Sequence, residues 1–183
     1  FVAGKWQVFE METLMNTPAI LLPTLMYLFH RIEQQLTGVP TLVVLDECWV
    51  FFDHPAFSSK IREWLKELRK KNASVVFATQ SLADIAKSVI VDTIQDSCPT
   101  KIFLPNDNAM EERVRAFYSS FGLNKKEIEL ISLGTPKKHY YYKSPLGSRL
   151  YELALGKEAL AYCAASSKED QRMVKDLLSE YGR

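Results

Sequence analysis

The chain has 183 residues, 47% of them hydrophobic, which is enough apolar material for one well-filled core and a small appendage. Its 23 Lys and Arg residues nearly balance 22 Asp and Glu residues, so overall charge does not indicate a nucleic-acid or anionic-membrane partner. The three cysteines and three histidines are scattered, which argues against a zinc site or disulfide framework and favours a reducing compartment.

Neither a membrane span nor a signal peptide is recognisable. The longest apolar stretch, residues 19–29, is too short to cross a bilayer and contains Pro23. The chain starts at Phe1 and leads almost directly into a strand-like run, KWQVFEME. We therefore expect it to be part of a longer polypeptide.

The first hundred residues alternate strand and helix patterns. In chain order the predicted elements are a strand at 5–12, a helix at 17–36 with Thr17 as its N-cap, a strand at 41–45, a helix at 57–72, a strand at 73–80, a helix capped by Ser81 and a strand at 101–105. The run TLVVL (41–45) is uniformly apolar, as expected of a central strand covered on both faces. This alternation predicts a mostly parallel sheet flanked by helices.

The pattern changes after Pro105. The expected elements are two helices with capping-box pairs Asn108/Glu111 and Asn124/Glu127, three β-like runs at 137–145, 148–155 and 158–166, and a closing amphipathic helix at 168–182. The short PLG and GKE spacers between the β-like runs indicate a hairpin or meander.

Polar residues follow two strands at the points where those strands end. Asp46 and Glu47 follow the first, and Thr79 and Gln80 end the second. Ligands of open parallel sheets bind beyond the carboxyl ends of the strands, so these residues are expected to converge there. An acid pair with an amide suits Mg²⁺-dependent phosphoryl transfer: one carboxylate holds the metal's water shell, another activates the attacking water, and the amide senses the γ-phosphate.

Plainer explanations stay open at two places. Asp46 could cap a loop or helix while Glu47 is merely solvated. Arg69 lies in the basic run RKK at a helix C-terminus, where cations are favoured by about 0.3–1 kcal/mol each. Its alternative role is an arginine finger that reaches a neighbouring subunit's nucleotide.

Four segments, VVLDECWVFF, WLKELRKKNASVVFATQSLADI, CPTKIFLPN and YYYKSPLGSRLYELALGKEALAYCA, together resemble the C-terminal ATPase domain of the conjugation and type IV secretion ATPases, the VirB/TrbE/CagE group. The resemblance runs through nearly the whole chain in order. It implies an α/β fold with a RecA-like P-loop NTPase core and a small C-terminal hairpin and helix. Residues 1–105 would be the core with Walker B and the glutamine sensor, and 106–183 would complete the same motor domain.

The resemblance also implies roles for individual residues. LDE looks like a Walker B motif, in which Asp46 serves Mg²⁺ through water and Glu47 is the catalytic base. Gln80 looks like the γ-phosphate sensor, with Thr79 beside it at the nucleotide. Arg69 stands where related motors carry a trans-acting arginine. Arg149, in KSPLGSRLYEL, is expected to contact nucleotide or a neighbour.

One family feature is missing. The glycine-rich phosphate loop ending in Gly-Lys-Ser/Thr has no counterpart, because Gly4 and Lys5 lack both the upstream glycine and a following hydroxyl. In the family that loop lies well upstream, so this segment by itself is expected to bind ATP weakly or not at all and to be inactive. The intact protein would use ATP and Mg²⁺.

The implied protein is a motor that energises type IV secretion or conjugative transfer, including substrate export and pilus assembly. It would form a homo-oligomer, a hexamer by family analogy, at the cytoplasmic face of a bacterial inner membrane. Its partners would be other secretion components, with DNA as a further candidate. The alternative is a non-catalytic assembly or partner-binding module, in which Trp6 and the tyrosines at 140–142 serve interfaces.

Overall fold

The computed structural model describes residues 5–52, 55–163, 165 and 167–182. They form two compact units. The first comprises the chain up to Pro99 together with Ala116–Gly122, and the second comprises Thr100–Arg115 together with the chain from Leu123 onward.

The first unit contains the predicted alternation of helices and strands. In chain order its elements are α1 (Glu12–Met15), α2 (Pro18–Gln35), β1 (Thr41–Leu45), α3 (Trp49–Phe52), α4 (Pro55–Glu67), a 3₁₀ turn (Leu68–Lys71), β2 (Ala73–Phe77), α5 (Leu82–Lys87) and α6 (Val91–Ser97). The last residues of α7 (Glu112–Ser120) also belong to it.

Strands β1 and β2 are paired in parallel, in a register that runs from Thr41 opposite Ala73 to Leu45 opposite Phe77. The segment between them contains α3, α4 and the 3₁₀ turn, which is the crossover that parallel neighbours require. Asn72 ends this crossover in the left-handed conformation, with φ of 56°, and its side-chain amide donates to the Gly38 carbonyl at 3.1 Å. Because every residue of β1 lies opposite a residue of β2, the two strands begin and end at the same level.

Helices α2 and α4 pack together through aromatic side chains. The Phe29 ring lies 4.3 Å from Trp64 and 5.6 Å from Phe57, measured between ring centroids, and all three side chains are buried. At the margin of this contact Lys60 forms an ion pair with Glu33 at 3.1 Å. These contacts hold α4, the main helix of the crossover, against α2.

Several expectations for the first unit were wrong. Residues 5–11 form no strand, and Trp6 and Val8 are strongly exposed, because no described strand pairs with them. Strand β1 is not covered on both faces: Val43 and Leu45 are buried, whereas Leu42 and Val44 are exposed. With one described neighbour and no described layer on that side, its outer face stays open.

Two predicted caps occupy their positions without the expected bonds. Thr17 and Ser81 are the N-cap residues of α2 and α5, but neither side chain accepts a capping hydrogen bond. Strand β2 also ends at Phe77, so Thr79 and Gln80 lie in the segment after it. The positions of the elements thus follow the sequence pattern more closely than their terminal hydrogen bonds do.

The second unit contains an antiparallel sheet. In chain order its elements are β3 (Lys101–Phe103), a 3₁₀ turn (Asp107–Met110), the start of α7, α8 (Lys125–Ser132), β4 (His139–Ser144), β5 (Gly147–Glu152), α9 (Lys157–Cys163) and α10 (Lys168–Tyr181). The strand order is β3-β4-β5, and β4 and β5 form the hairpin that the PLG spacer indicates.

Three expectations here need correction. The strand predicted at 101–105 does not extend the parallel sheet; its Phe103 lies opposite Tyr141 in an antiparallel pair. Asn108 and Glu111 form no capping box, because the side chain of Asn106 instead accepts from the Asn108 amide at 3.0 Å. The run 158–166 is helix α9 over its described core, in keeping with its Ala, Leu and Glu content.

Glu127 joins α8 to the sheet. As predicted, it forms a capping box with Asn124 at the start of α8. Its carboxylate also accepts from the Tyr141 hydroxyl at 2.9 Å and from the Lys143 ammonium at 2.8 Å to each oxygen. Burial by itself would raise the pKa of Glu127, but the hydrogen bonds from Lys143, Asn124 and Tyr141 outweigh it and hold the pKa below its ordinary value.

Removing the ammonium from this network should destabilise the fold. We expect Lys143→Met to lower the free energy of unfolding by about 1–3 kcal/mol, because it leaves the buried Glu127 carboxylate short of its charged donor. The matched control is Lys126→Met, since Lys126 makes an exposed ion pair with Glu129 at 3.0 Å and should cost under about 1 kcal/mol. Urea denaturation of both variants measures the difference.

The same network gives a pH dependence of known sign. A carboxylate with a lowered pKa contributes stability above its unfolded pKa, near 4.5, and loses it as the pH falls through the folded value. The difference between wild type and Lys143→Met should therefore be full at pH 7 and shrink below pH 4.5. A difference that grows on acidification would contradict this assignment.

Candidate functional site

The end of β1 turns sharply at Glu47. This residue has φ of 49°, in the left-handed region that side chains other than Gly rarely adopt. On either side the backbone is tied to β2: the Ala78 amide donates to the Leu45 carbonyl, and the Cys48 amide donates to the Ala78 carbonyl, both at 2.9 Å. The strained residue is thus held between two fixed points, a common arrangement at functional sites.

Two N–H donors hold the Glu47 side chain. The amide of Gln80 donates to Oε1 of Glu47, and the indole N–H of Trp49 donates to Oε2 at 3.0 Å. The prediction that the two strand ends bring the acid and the carboxamide together is confirmed. The structure therefore places a carboxylate and an amide side by side at the carboxyl edge of a parallel strand pair.

Asp46 and Thr79 flank this pair on the same two strand ends. Asp46 is exposed, and its Oδ1 accepts from the Glu47 amide at 3.0 Å. The Thr79 hydroxyl takes part in a local turn, where it accepts from the Ser81 amide at 3.2 Å and donates to the Ser81 carbonyl at 3.3 Å. Asp46 thus offers carboxylate oxygen to the surroundings, while Thr79 shapes the loop that carries Gln80.

The two predicted arginines occupy other elements of the chain. Arg69 is exposed in the 3₁₀ turn just before β2, at the opposite end of the strand pair from Glu47. Five residues of strand separate these ends, a distance of about 16 Å. Arg149 is exposed on β5 in the second unit, opposite Tyr142. Arg69 does not belong to the cluster formed by Glu47 and Gln80.

The residues present suit a magnesium nucleotide in part. Mg²⁺ is usually held by one or two carboxylates together with water and substrate phosphates, and exposed Asp46 could supply such a ligand. Within the described ranges no group of three or more His, Cys, Asp and Glu side chains could hold a metal alone. The described residues contain no glycine-rich phosphate loop, and Gly4, which the sequence does not support as part of one, lies outside them.

Sequence reasoning missed the parts played by Cys48 and Trp49. Cys48 is completely buried in the turn between Asp46 and α3, and its backbone amide bonds to Ala78. Burial, with smaller contributions from the charges of Asp46 and Glu47, raises the pKa of its thiol from 9.0 to about 12. The available signal was the spacing of Trp49, two residues beyond Glu47 in a tight turn, where the indole reaches back to the carboxylate.

The mixed α/β fold is of the P-loop NTPase-like class. Its structure is similar to that of VirB4 from Thermoanaerobacter pseudethanolicus, with a TM-score of 0.61 and 18% identity over 75% of this chain and 37% of that one. At that identity the likeness shows the fold.

The family follows from sequence comparison. The TraG P-loop domain family matches residues 1–181. Conjugal transfer protein TrbE of Rhizobium radiobacter is 51% identical over 98% of this chain. Type IV secretion system protein virB4 of Bartonella henselae is 32% identical over 95% of it. The chain belongs to the TraG P-loop domain family, within the conjugation and type IV secretion ATPases, and spans 22% of the length of each of these two relatives.

Among the helices in the described part of the chain, none combines the length and apolarity needed to cross a bilayer.

The burial of Cys48 has a chemical consequence. At pH 8 a thiol with a pKa of about 12 is ionised in only about one molecule in ten thousand, and Cys48 is also inaccessible. We expect iodoacetamide to label exposed Cys163 in the native protein and to reach Cys48 only after urea unfolding. Peptide mapping by mass spectrometry measures both rates, and fast native labelling of Cys48 would show that this turn opens readily.

Proposed function

We propose that this chain is the Walker B-bearing part of an ATP-hydrolysing motor that energises type IV secretion or conjugative transfer, driving substrate export and pilus assembly. The observation that carries the proposal is the contact between Glu47 and Gln80 at the carboxyl edge of β1 and β2. Family membership supports it, and so does the exposed acid Asp46 beside the pair.

In this mechanism Glu47 is the general base. Its carboxylate accepts a proton from the water that attacks the γ-phosphorus, and the strained backbone keeps the carboxylate at the strand end. Gln80 donates its amide N–H to a γ-phosphate oxygen and so reports whether the triphosphate is present. Asp46 would hold Mg²⁺ through water, and bound Mg²⁺ would neutralise charge on the phosphates.

We propose residues 1–105 as the part of the ATPase core with Walker B and the glutamine sensor, and 106–183 as the remainder of the motor domain. Thr79 and Arg149 are proposed nucleotide contacts, of which Arg149 could instead touch a neighbour. The working protein would be a homo-oligomer, a hexamer by analogy, at the cytoplasmic face of the inner membrane, with other secretion components and DNA as candidate partners.

Arg69 is proposed to act on a neighbouring copy. Arg69 lies about 16 Å from Glu47 along the strand pair, which is too far for it to contact a nucleotide bound beside Glu47 of the same chain. Arg69 is exposed, however, so in a ring of subunits it could reach the nucleotide site of the neighbouring subunit. In this role Arg69 would stabilise charge that develops on the transferring phosphoryl group.

The second candidate function is a non-catalytic assembly module. It is favoured by helix α10, whose apolar side chains Met173, Leu177 and Tyr181 are all more than half exposed. Such a stripe is typical of a helix that packs on another surface. The loss of turnover described next separates the two candidates, because an assembly module has no turnover to lose.

Replacing the proposed base tests the motor directly. In the complete polypeptide as encoded, Glu47→Gln should reduce ATP turnover by about 10²- to 10⁴-fold while leaving ATP affinity largely intact, since it removes proton acceptance and little binding. The control is Glu63→Gln, the same chemical change at an exposed glutamate of α4. Steady-state phosphate release measures turnover, and an unchanged rate in Glu47→Gln would exclude the role.

Subunit mixing tests the arginine. We expect Arg69→Ala to lower turnover on the order of 10³-fold in the assembled oligomer. Mixing it with Glu47→Gln subunits should restore part of the activity, because hybrid interfaces join an intact Glu47 to an intact Arg69. The control is Lys70→Ala in the same 3₁₀ turn, which should leave the rate unchanged. If Arg69→Ala is silent, Arg69 serves only the helix terminus.

A further inference from the structure

The contact between Trp49 and Glu47 has no role in the mechanism described so far. The indole Nε1 donates to Oε2 of Glu47 at 3.0 Å, while Gln80 donates to the other oxygen, Oε1. Both carboxylate oxygens are therefore engaged by donors from different segments of the chain. An indole N–H can donate and cannot accept, so Oε2 of Glu47 is the acceptor in this contact.

We infer that Trp49 is the positioning residue of the hydrolytic site: it keeps Oε2 of Glu47 engaged and leaves Oε1 to alternate between Gln80 and the attacking water. This inference rests on the proposed function, because it assigns Trp49 a part in the same reaction. In this role Trp49 acts through Glu47 and contacts neither the nucleotide nor the attacking water.

The two donors differ in how firmly they are held. Trp49 is half-buried on α3, and α3 is fixed at its far end, where the buried Ser58 hydroxyl donates to the Phe52 carbonyl at 2.9 Å. The Phe52 ring also packs 5.8 Å from that of Phe77 on β2. Gln80, in contrast, is exposed in the segment after β2. Trp49 is thus the fixed donor and Gln80 the exchangeable one.

This difference gives an order to the chemistry. When Gln80 turns its amide to a γ-phosphate oxygen, Oε1 loses a donor and becomes free to accept from water, while Oε2 stays bound to Trp49. The water oxygen then bonds to the γ-phosphorus, its proton moves to Oε1, and the bond to the β,γ-bridging oxygen breaks. The products are ADP and phosphate, and the proton on Glu47 later leaves to phosphate or solvent.

An isosteric replacement tests this without changing the packing. β-(3-Benzothienyl)alanine has a sulfur atom where tryptophan has its indole N–H. Placed at position 49 of the complete polypeptide, it should lower kcat for ATP by about ten- to a hundredfold with KM little changed, because one hydrogen bond to a charged group is lost. The matched control is the same replacement at buried Trp64, whose Nε1 has no partner among the described residues, and there kcat should stay unchanged.

A second readout does not depend on activity. In the ¹⁵N-labelled complete polypeptide, Trp49→Phe identifies the indole N–H signal of position 49, and Trp64→Phe identifies that of position 64. Glu47→Gln should move that signal upfield and speed its exchange with solvent, because a neutral amide accepts more weakly than a carboxylate. The Trp64 signal should not move.

The outcomes separate this inference from the proposed function. Full turnover by Glu47→Gln would overturn the motor mechanism and this inference together. If Glu47→Gln is inactive but the sulfur analogue at position 49 keeps wild-type kcat, the base assignment stands and the positioning role is overturned. An indole signal at position 49 that ignores the Glu47→Gln change would overturn the contact itself.

Discussion

The parallel pairing of β1 with β2 is the constraint on which the site depends. Because the two strands end level with each other, the residues after Leu45 and after Phe77 must share one edge. The ladder continues one step past both strands, through the backbone bonds of Ala78, and this step holds Glu47 in its unusual backbone conformation. A shift of one residue in register would move Gln80 away from Glu47 and reverse which side chains of β1 face the core.

The hydrophobic pattern of the first unit was enough to predict this arrangement. Runs such as TLVVL, followed by an amphipathic helix and a second apolar run, indicate a crossover between parallel strands, and the polar residues after each run mark the edge where they meet. Pairing partners were harder to predict. Residues 5–11 have a strand-like composition without a described partner, and Lys101–Phe103 pairs with β4 in the second unit. Composition measures fit to a strand surface, whereas pairing depends on contacts distant in sequence.

The donors around carboxylates were the least predictable part of the chain. The spacing of Asn124 and Glu127 predicts their capping box. No nearby part of the sequence, however, indicates that Lys143 and Tyr141 also donate to the Glu127 carboxylate. The contact of Trp49 with Glu47 is nearly local and still depends on the left-handed turn between them. Side-chain networks follow from backbone geometry at particular residues, which patterns of hydrophobicity do not encode.

The left-handed backbone at Glu47 lowers the stability of the fold, while the proposed activity requires the Glu47 carboxylate. A residue without a β-carbon would occupy that conformation at no steric cost, whereas glutamate stores strain on the order of 1 kcal/mol or more there. Laboratory evolution that rewards thermal resistance alone would therefore tend to drift toward glycine at this position and discard the carboxylate. Glu47 would be retained only if activity were selected as well. Variants that gain thermal stability and still carry Glu47 would therefore indicate that the carboxylate is needed for function.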